Sequence, residues 1–116
     1  MICWMNFEIK TIPSFDKDVK TLSKKYKSFK SDLLKLREIL SNNPKSGISI
    51  GNSCYKIRIT IASKNKGKSG GARVITHVLS LNEIDGVIYL LAVYDKSEQE
   101  NISDNEIKDL LKEITP

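Results

Sequence analysis

Between positions 54 and 73 the chain carries Lys56, Arg58, Lys64, Lys66, Lys68 and Arg73, six cations with no acid among them. Residues of this kind can hold a phosphate and stabilise charge that builds on it. Gly67, Gly70 and Gly71 fall in the same stretch, and a backbone without Cβ atoms lets N–H groups approach an anion closely. Cleavage of RNA without a metal needs little more. A base takes the proton of the 2′-hydroxyl, cations stabilise the dianionic phosphorane, and an acid protonates the departing 5′-oxygen. Lysines crowded by other cations lose protons more readily and can serve in proton transfer, whereas arginines stay charged. By this reasoning Arg58 and Arg73 supply fixed charge, with Arg73 at the surface. Tyr94 and Lys96 add a phenol and an amine at the close of a later apolar strand, where sheet ends tend to hold functional residues. The competing reading is a solvated strand face and a loop kept soluble by its lysines. His77, the one histidine, reads either as a satisfied strand residue or as a substrate contact.

Two short patterns must position these groups. Tyr55 to Ile61 alternates strictly, so Tyr55, Ile57, Ile59 and Ile61 share one face while Lys56, Arg58 and Thr60 share the other. The segment from Ser63 to Gly71 reads as a flexible basic loop, and Ala72 to Leu81 returns as the second arm of a hairpin. After a turn expected near Asp85-Gly86, Val87 to Val93 is almost unbroken apolar sequence, as in a strand covered on both faces.

Upstream, Asn6 to Thr11 alternates as a half-buried strand, and Pro13-Ser14 offers a helix start. Phe15, Val19, Leu22 and Tyr26 form one helical stripe. Phe29, Leu33, Leu36 and Leu40 form a second, widened by Leu34 and Ile39 and ended by Asn42-Asn43-Pro44. Lysines 17, 20, 24, 25, 27, 30 and 35 occupy the outward faces and read as solvated. Residues 41–53 read as a turn-rich connector. At the other end Ser103 fits an N-cap, Glu106 the reciprocal position of a capping box, and Ile102 with Ile107 a hydrophobic staple. The expected fold class is α+β. An N-terminal strand and helical hairpin pack on a mainly antiparallel four-stranded sheet, followed by a C-terminal helix, in the order β-α-α-β-β-β-α.

Length and composition agree with one domain over residues 1–116: 40% of the 116 residues are apolar, too many for a disordered chain. Charge is divided unevenly. Residues 1–80 hold 16 Lys/Arg and 5 Asp/Glu, and residues 81–116 hold 3 and 9, a basic body with an acidic tail. Two cysteines, Cys3 and Cys54, form no CxxC pair, so neither a zinc site nor a disulfide framework is expected. No phosphate-loop or dinucleotide motif is present. No apolar run approaches the roughly 18 residues a membrane helix needs. The apolar opening Met1 to Met5 is shorter than the apolar core of a signal peptide, about 7–15 residues. These features predict a cofactor-free cytoplasmic protein that meets a polyanion and no membrane. Met1 to Trp4 reads as a dispensable overhang, with Met5-Asn6-Phe7 opening the first strand.

Three stretches together resemble one family: Tyr55-Lys56-Ile57-Arg58; Gly67-Lys68-Ser69-Gly70-Gly71-Ala72-Arg73-Val74-Ile75; and Ile88-Tyr89-Leu90-Leu91-Ala92-Val93-Tyr94-Asp95-Lys96-Ser97-Glu98. They resemble the RelE/ParE toxin superfamily, most closely its HigB-like, phage-associated branch, from about Met5 to the end of the chain. The resemblance implies the toxin of a type II toxin–antitoxin system. Such a toxin is an mRNA interferase that cuts messages on the ribosome and is held inactive by a cognate antitoxin, here expected to be a helix-turn-helix protein. It implies that Lys56 and Arg58 correspond to the basic strand pair used in cleavage and Arg73 to the arginine opening the next strand. Lys96 falls near the basic residue after the last sheet strand. RelE members place a tyrosine in the C-terminal segment where this chain has Asn101-Ile102, so Tyr94 is the candidate to stand in for it. Lys64, Lys66, Lys68 and His77 are the expected RNA contacts. Two other readings are an inhibitor of DNA gyrase without nuclease activity, of the ParE kind, and a solitary member that only binds RNA or protein.

Overall fold

The computed structural model describes residues 6–64, 71–82, 84–99 and 101–114. The expected overhang at residues 1–4, Lys66 and Lys68 lie outside the described residues, as does the side chain of Lys64. The order is β1 (Asn6–Thr11), α1 (Pro13–Lys25), α2 (Phe29–Asn42), β2 (Ile48–Gly51), β3 (Cys54–Thr60), a 3-10 turn (Ala62–Lys64), β4 (Gly71–Ser80), β5 (Asp85–Asp95) and α3 (Asp104–Leu111). This is the predicted α+β order with one extra strand. The five strands run β1-β5-β4-β3-β2 across the sheet; β1 pairs parallel to β5 and every other pair is antiparallel.

The extra strand is β2, inside the segment read as a connector. It pairs with β3 through a two-residue turn in which Asn52 and Ser53 both take positive φ, 56° and 57°. Two consecutive left-handed residues make the turn that best matches the twist of a hairpin.

Pro13 opens α1 where its missing N–H costs nothing. Phe15 and Leu22 of α1 and Phe29, Leu36 and Leu40 of α2 are buried, whereas Leu34 and Ile39, expected to widen the apolar stripe, are exposed. At the helix junction Asp32, 3% exposed, accepts from Ser28 Oγ at 2.7 Å and from Ala62 N at 3.2 Å. Ser28 N in turn donates to Ser63 Oγ at 3.1 Å. These bonds fasten the α1–α2 elbow to the chain leaving β3.

β5 lies between β1 and β4, which explains its apolar run. Its ladder with β4 carries a bulge: Ile75 faces Ala92 but Thr76 faces Leu90, leaving Leu91 as an extra, fully buried residue. The bulge inverts the alternation of β5, so Tyr94 and Tyr89, five residues apart, come to lie on one face.

The turn before β5 sits earlier than expected. Asn82 Oδ1 accepts from the backbone N of Ile84 and of Asp85, both at 2.9 Å, and Asp85-Gly86 already belong to the strand. Gly86 is there because Phe7 and the β4 backbone press on it. A Cβ at this position would lie 2.4 Å from Phe7 Cε2 and 2.5 Å from the Leu79 carbonyl oxygen. The ring can move; the carbonyl moves only with the strand pair. Gly86→Ala is therefore expected to cost about 1–3 kcal/mol. Thermal melting should show a drop of about 10 °C.

Candidate functional site

Register fixes the core of the site. Arg58 of β3 lies opposite Arg73 of β4, and Arg73 opposite Tyr94 of β5. Directly opposed residues share a face, and neighbouring strands are about 4.8 Å apart, so the three form one transverse row. Lys56 stands two residues from Arg58 on the same face, opposite Ile75. Lys56 and Arg58 share the face that alternation predicts, and the register of β3 with β4, which the sequence left open, puts Arg73 on it as well.

Exposure differs sharply along the row. Arg58 is exposed and Lys56 half-buried, but Arg73 is 9% exposed and Tyr94 8%. The expectation of a surface Arg73 is thus corrected: it occupies an inner strand, and the C-terminal segment packs on the sheet beside it. α3 begins with the expected capping box; Ser103 Oγ accepts from Glu106 N at 3.1 Å while the Glu106 side chain accepts from Ser103 N. Ile107 is buried in the core. The segment is held at both ends. Asn101 Oδ1 accepts from Lys56 Nζ at 3.2 Å, and Glu113 accepts from the backbone N of Ser14 at 3.0 Å and from its hydroxyl.

Two polar atoms in the row have no hydrogen-bond partner among the described residues, Arg73 Nη1 and Tyr94 Oη. A buried charged donor left unpaired is costly, and such groups in native proteins call for a reason. Burial pushes the Tyr94 phenol up; the Arg73 guanidinium pulls it down and the Glu106 carboxylate pushes it further up, with a net rise. The phenol therefore keeps its proton at neutral pH.

At the end of β5, Asp95 (2% exposed) accepts from the Tyr26 hydroxyl, from Ser97 N at 2.9 Å and from Ser97 Oγ at 2.8 Å. Lys96 N donates to the Gly71 carbonyl at 3.2 Å, which sets the half-buried Lys96 beside the start of β4, two residues from Arg73. Neither Asp95, Asn101 nor Glu106 stands out in the sequence as part of a site. The capping box was the signal for α3, but no pattern shows where that helix docks.

Beyond the end of β1, Asp18 of α1 accepts from Val93 N at 3.3 Å, covering the open edge of β5. Burial, opposed by the Val93 hydrogen bond, raises the Asp18 carboxyl. A cavity of about 360 Å³ lies here, lined by Asp18, Glu106, Asp109 and Glu113 as well as Tyr94. Its carboxylates make it unsuited to a phosphate.

His77 stands apart from the row. It is four residues from Arg73 along β4, about 13 Å at 3.3 Å per residue. Its Nδ1 lies 3.0 Å from the Asn52 carbonyl oxygen and 3.6 Å from Cys54 Sγ, and its ring tilts against Tyr89 at 6.5 Å. Burial pushes the Cys54 thiol up to about 11, so this pair is no nucleophile at neutral pH. Among the described residues no three His, Cys, Asp or Glu side chains gather as a metal site would require. No described helix is long and apolar enough to cross a membrane.

The sheet thus carries two helices on one face and a short helix on the other. The chain is similar to a free-state structure of a doubly substituted mutant of E. coli toxin RelE, with a TM-score of 0.56 and 15% sequence identity over 96% of this chain and 100% of that one. The likeness is one of fold. No family model matches the sequence.

Proposed function

We propose that the protein is the toxin of a type II toxin–antitoxin pair, of the RelE superfamily and its HigB-like branch, and that it cleaves mRNA on the ribosome without a metal. The observation that carries this reading is the row Arg58–Arg73–Tyr94, with Arg73 Nη1 and Tyr94 Oη buried and unpartnered beside Lys56. In such a reaction the 2′-oxygen forms a bond to phosphorus and loses its proton to a base. The bond to the 5′-oxygen breaks, and that oxygen takes a proton as it leaves, giving a 2′,3′-cyclic phosphate. Arg58 and Arg73 stabilise the phosphorane as fixed charges. Tyr94, which keeps its proton, is suited to donate, and Lys56 and Lys96 are the amines available for the complementary transfer. Lys64, Lys66 and Lys68 guide the RNA backbone towards the row, and His77 would contact it only where the RNA continues past the row along β4. The partners are then the ribosome, its message and a cognate antitoxin of helix-turn-helix type, in the cytoplasm. The E. coli protein of the same fold is itself named a toxin, which supports the assignment.

The test is expression of the chain alone in growing bacteria, with cleavage sites mapped by primer extension. Growth arrest is expected, with cuts in a translated message, none in the same message lacking its start codon, and cyclic phosphate ends. Arrest with intact messages and inhibited DNA gyrase would replace this reading by the gyrase one.

A further inference from the structure

The lysines of the helical hairpin are not spread evenly over solvent. Lys20 and Lys24 of α1, Lys27 of the link and Lys30 of α2 line a single groove of about 610 Å³, together with Asp16, Val19 and Ser23. We propose that this groove is a second anion-binding surface, distinct from the Arg58–Arg73–Tyr94 row, and that it takes the sugar-phosphate backbone of double-helical RNA.

Four lysines and one carboxylate border the groove, and none of the four lysines makes an ion pair among the described residues. Lys25, one position from Lys24 but outside the groove, is paired with Glu98 at 2.9 Å, so a partner for a lysine exists in this region and the groove lysines lack one. The groove wall also holds Ser23, whose Oγ is buried with no hydrogen-bond partner, a neutral donor suited to a phosphate oxygen. An acidic peptide helix is the other polyanion that four lysines would attract. Helices dock in grooves through several apolar anchors, and this groove offers only Val19. Lysines act on phosphates as movable point charges and need no fixed geometry, which fits a backbone read without sequence. The placement also suits RNA. The elbow that forms the groove is bonded through Ser28 and Asp32 to Ser63 and Ala62, at the end of β3 nearest Arg58. A structured RNA held at the elbow therefore lies at the same end of β3 as Arg58, across the sheet from the row.

The experiment measures binding of a fluorescent 20-base-pair RNA duplex of arbitrary sequence across a salt series. It compares the full chain with a variant carrying Lys20→Ala, Lys24→Ala, Lys27→Ala and Lys30→Ala, all exposed positions. A control carries Lys10→Ala, Lys35→Ala, Lys45→Ala and Lys112→Ala, which removes equal charge from exposed positions elsewhere. The groove variant is expected to bind about 100-fold more weakly near 0.1 M salt, with the slope of log affinity against log salt reduced by about 3. The control should keep the wild-type slope. Equal losses in both variants would show a net-charge effect and overturn the site. An unchanged duplex slope, with lost binding of a polyglutamate peptide, would overturn it in favour of an acidic protein. Duplex binding does not need cleavage, so the inference stands or falls apart from the nuclease reading.

Discussion

Arg73→Ala is expected to abolish growth arrest and to slow translation-dependent mRNA cleavage by about 10²–10³-fold, the usual effect of losing one preorganised donor at developing charge. The fold should survive. Arg73 Nη1 has no hydrogen-bond partner among the described residues, so shortening the side chain strands no acceptor for that atom, and the melting temperature should stay within a few degrees of wild type. Arg73→Lys keeps a cation but loses the planar fork that holds two phosphate oxygens, so it should recover only a small part of the rate. Cleavage assays on ribosomes programmed with a defined message, alongside thermal melts, separate the two effects. Wild-type cleavage by a folded Arg73→Ala protein would remove Arg73 from the mechanism.

Asp95→Ala should do the reverse and damage the fold more than the chemistry. The carboxylate is 2% exposed, accepts from Ser97 N, Ser97 Oγ and the Tyr26 hydroxyl, and lies 3.8 Å from Lys25 Nζ. Removing it leaves the Tyr26 hydroxyl and both Ser97 donors without that acceptor and empties a buried site, at a cost of about 3 kcal/mol. For a domain of this size that lowers the melting temperature by roughly 10–20 °C. Asp95→Asn retains one acceptor oxygen for Ser97 and should fall between the two. Asp95 pairs with Ala72 on the sheet face opposite Tyr94, so cleavage measured well below the melting point should change little. Melts by circular dichroism and cleavage at 20 °C check both halves of the expectation.

These contrasts show how much of the molecule can be read from its sequence. The helices and the capping box are legible because periodicity and end signals are local. Phe29, Leu36 and Leu40 recur at helical spacing, and Ser103 and Glu106 find each other within one turn. The face shared by Lys56 and Arg58 follows from alternation alone. β2 escapes because the four residues Ile48–Gly51 carry too little pattern, although Asn52-Ser53 after Gly51 was a usable turn signal. Arg73 was misjudged for another reason. Its burial comes from a neighbouring strand and a helix some thirty residues further on, and no window around residue 73 contains either. The lysine groove is invisible for the same reason: helical spacing puts Lys20 and Lys24 together, but only the elbow brings Lys27 and Lys30 to them.

The bulge at Leu91 has a consequence for anyone comparing this chain with others of its fold. Sequence comparison assumes that equal spacing means equal orientation. Across Leu91 that assumption fails by one residue, because the two halves of β5 are out of phase. A relative with a regular strand here, aligned without a gap, would have its Tyr94 counterpart assigned to the α1–α2 side of the sheet while the residues before the bulge aligned correctly. Roles inferred for Tyr94 and Lys96 should therefore be transferred by counting back from the Arg73 pairing, never by counting forward from Val87.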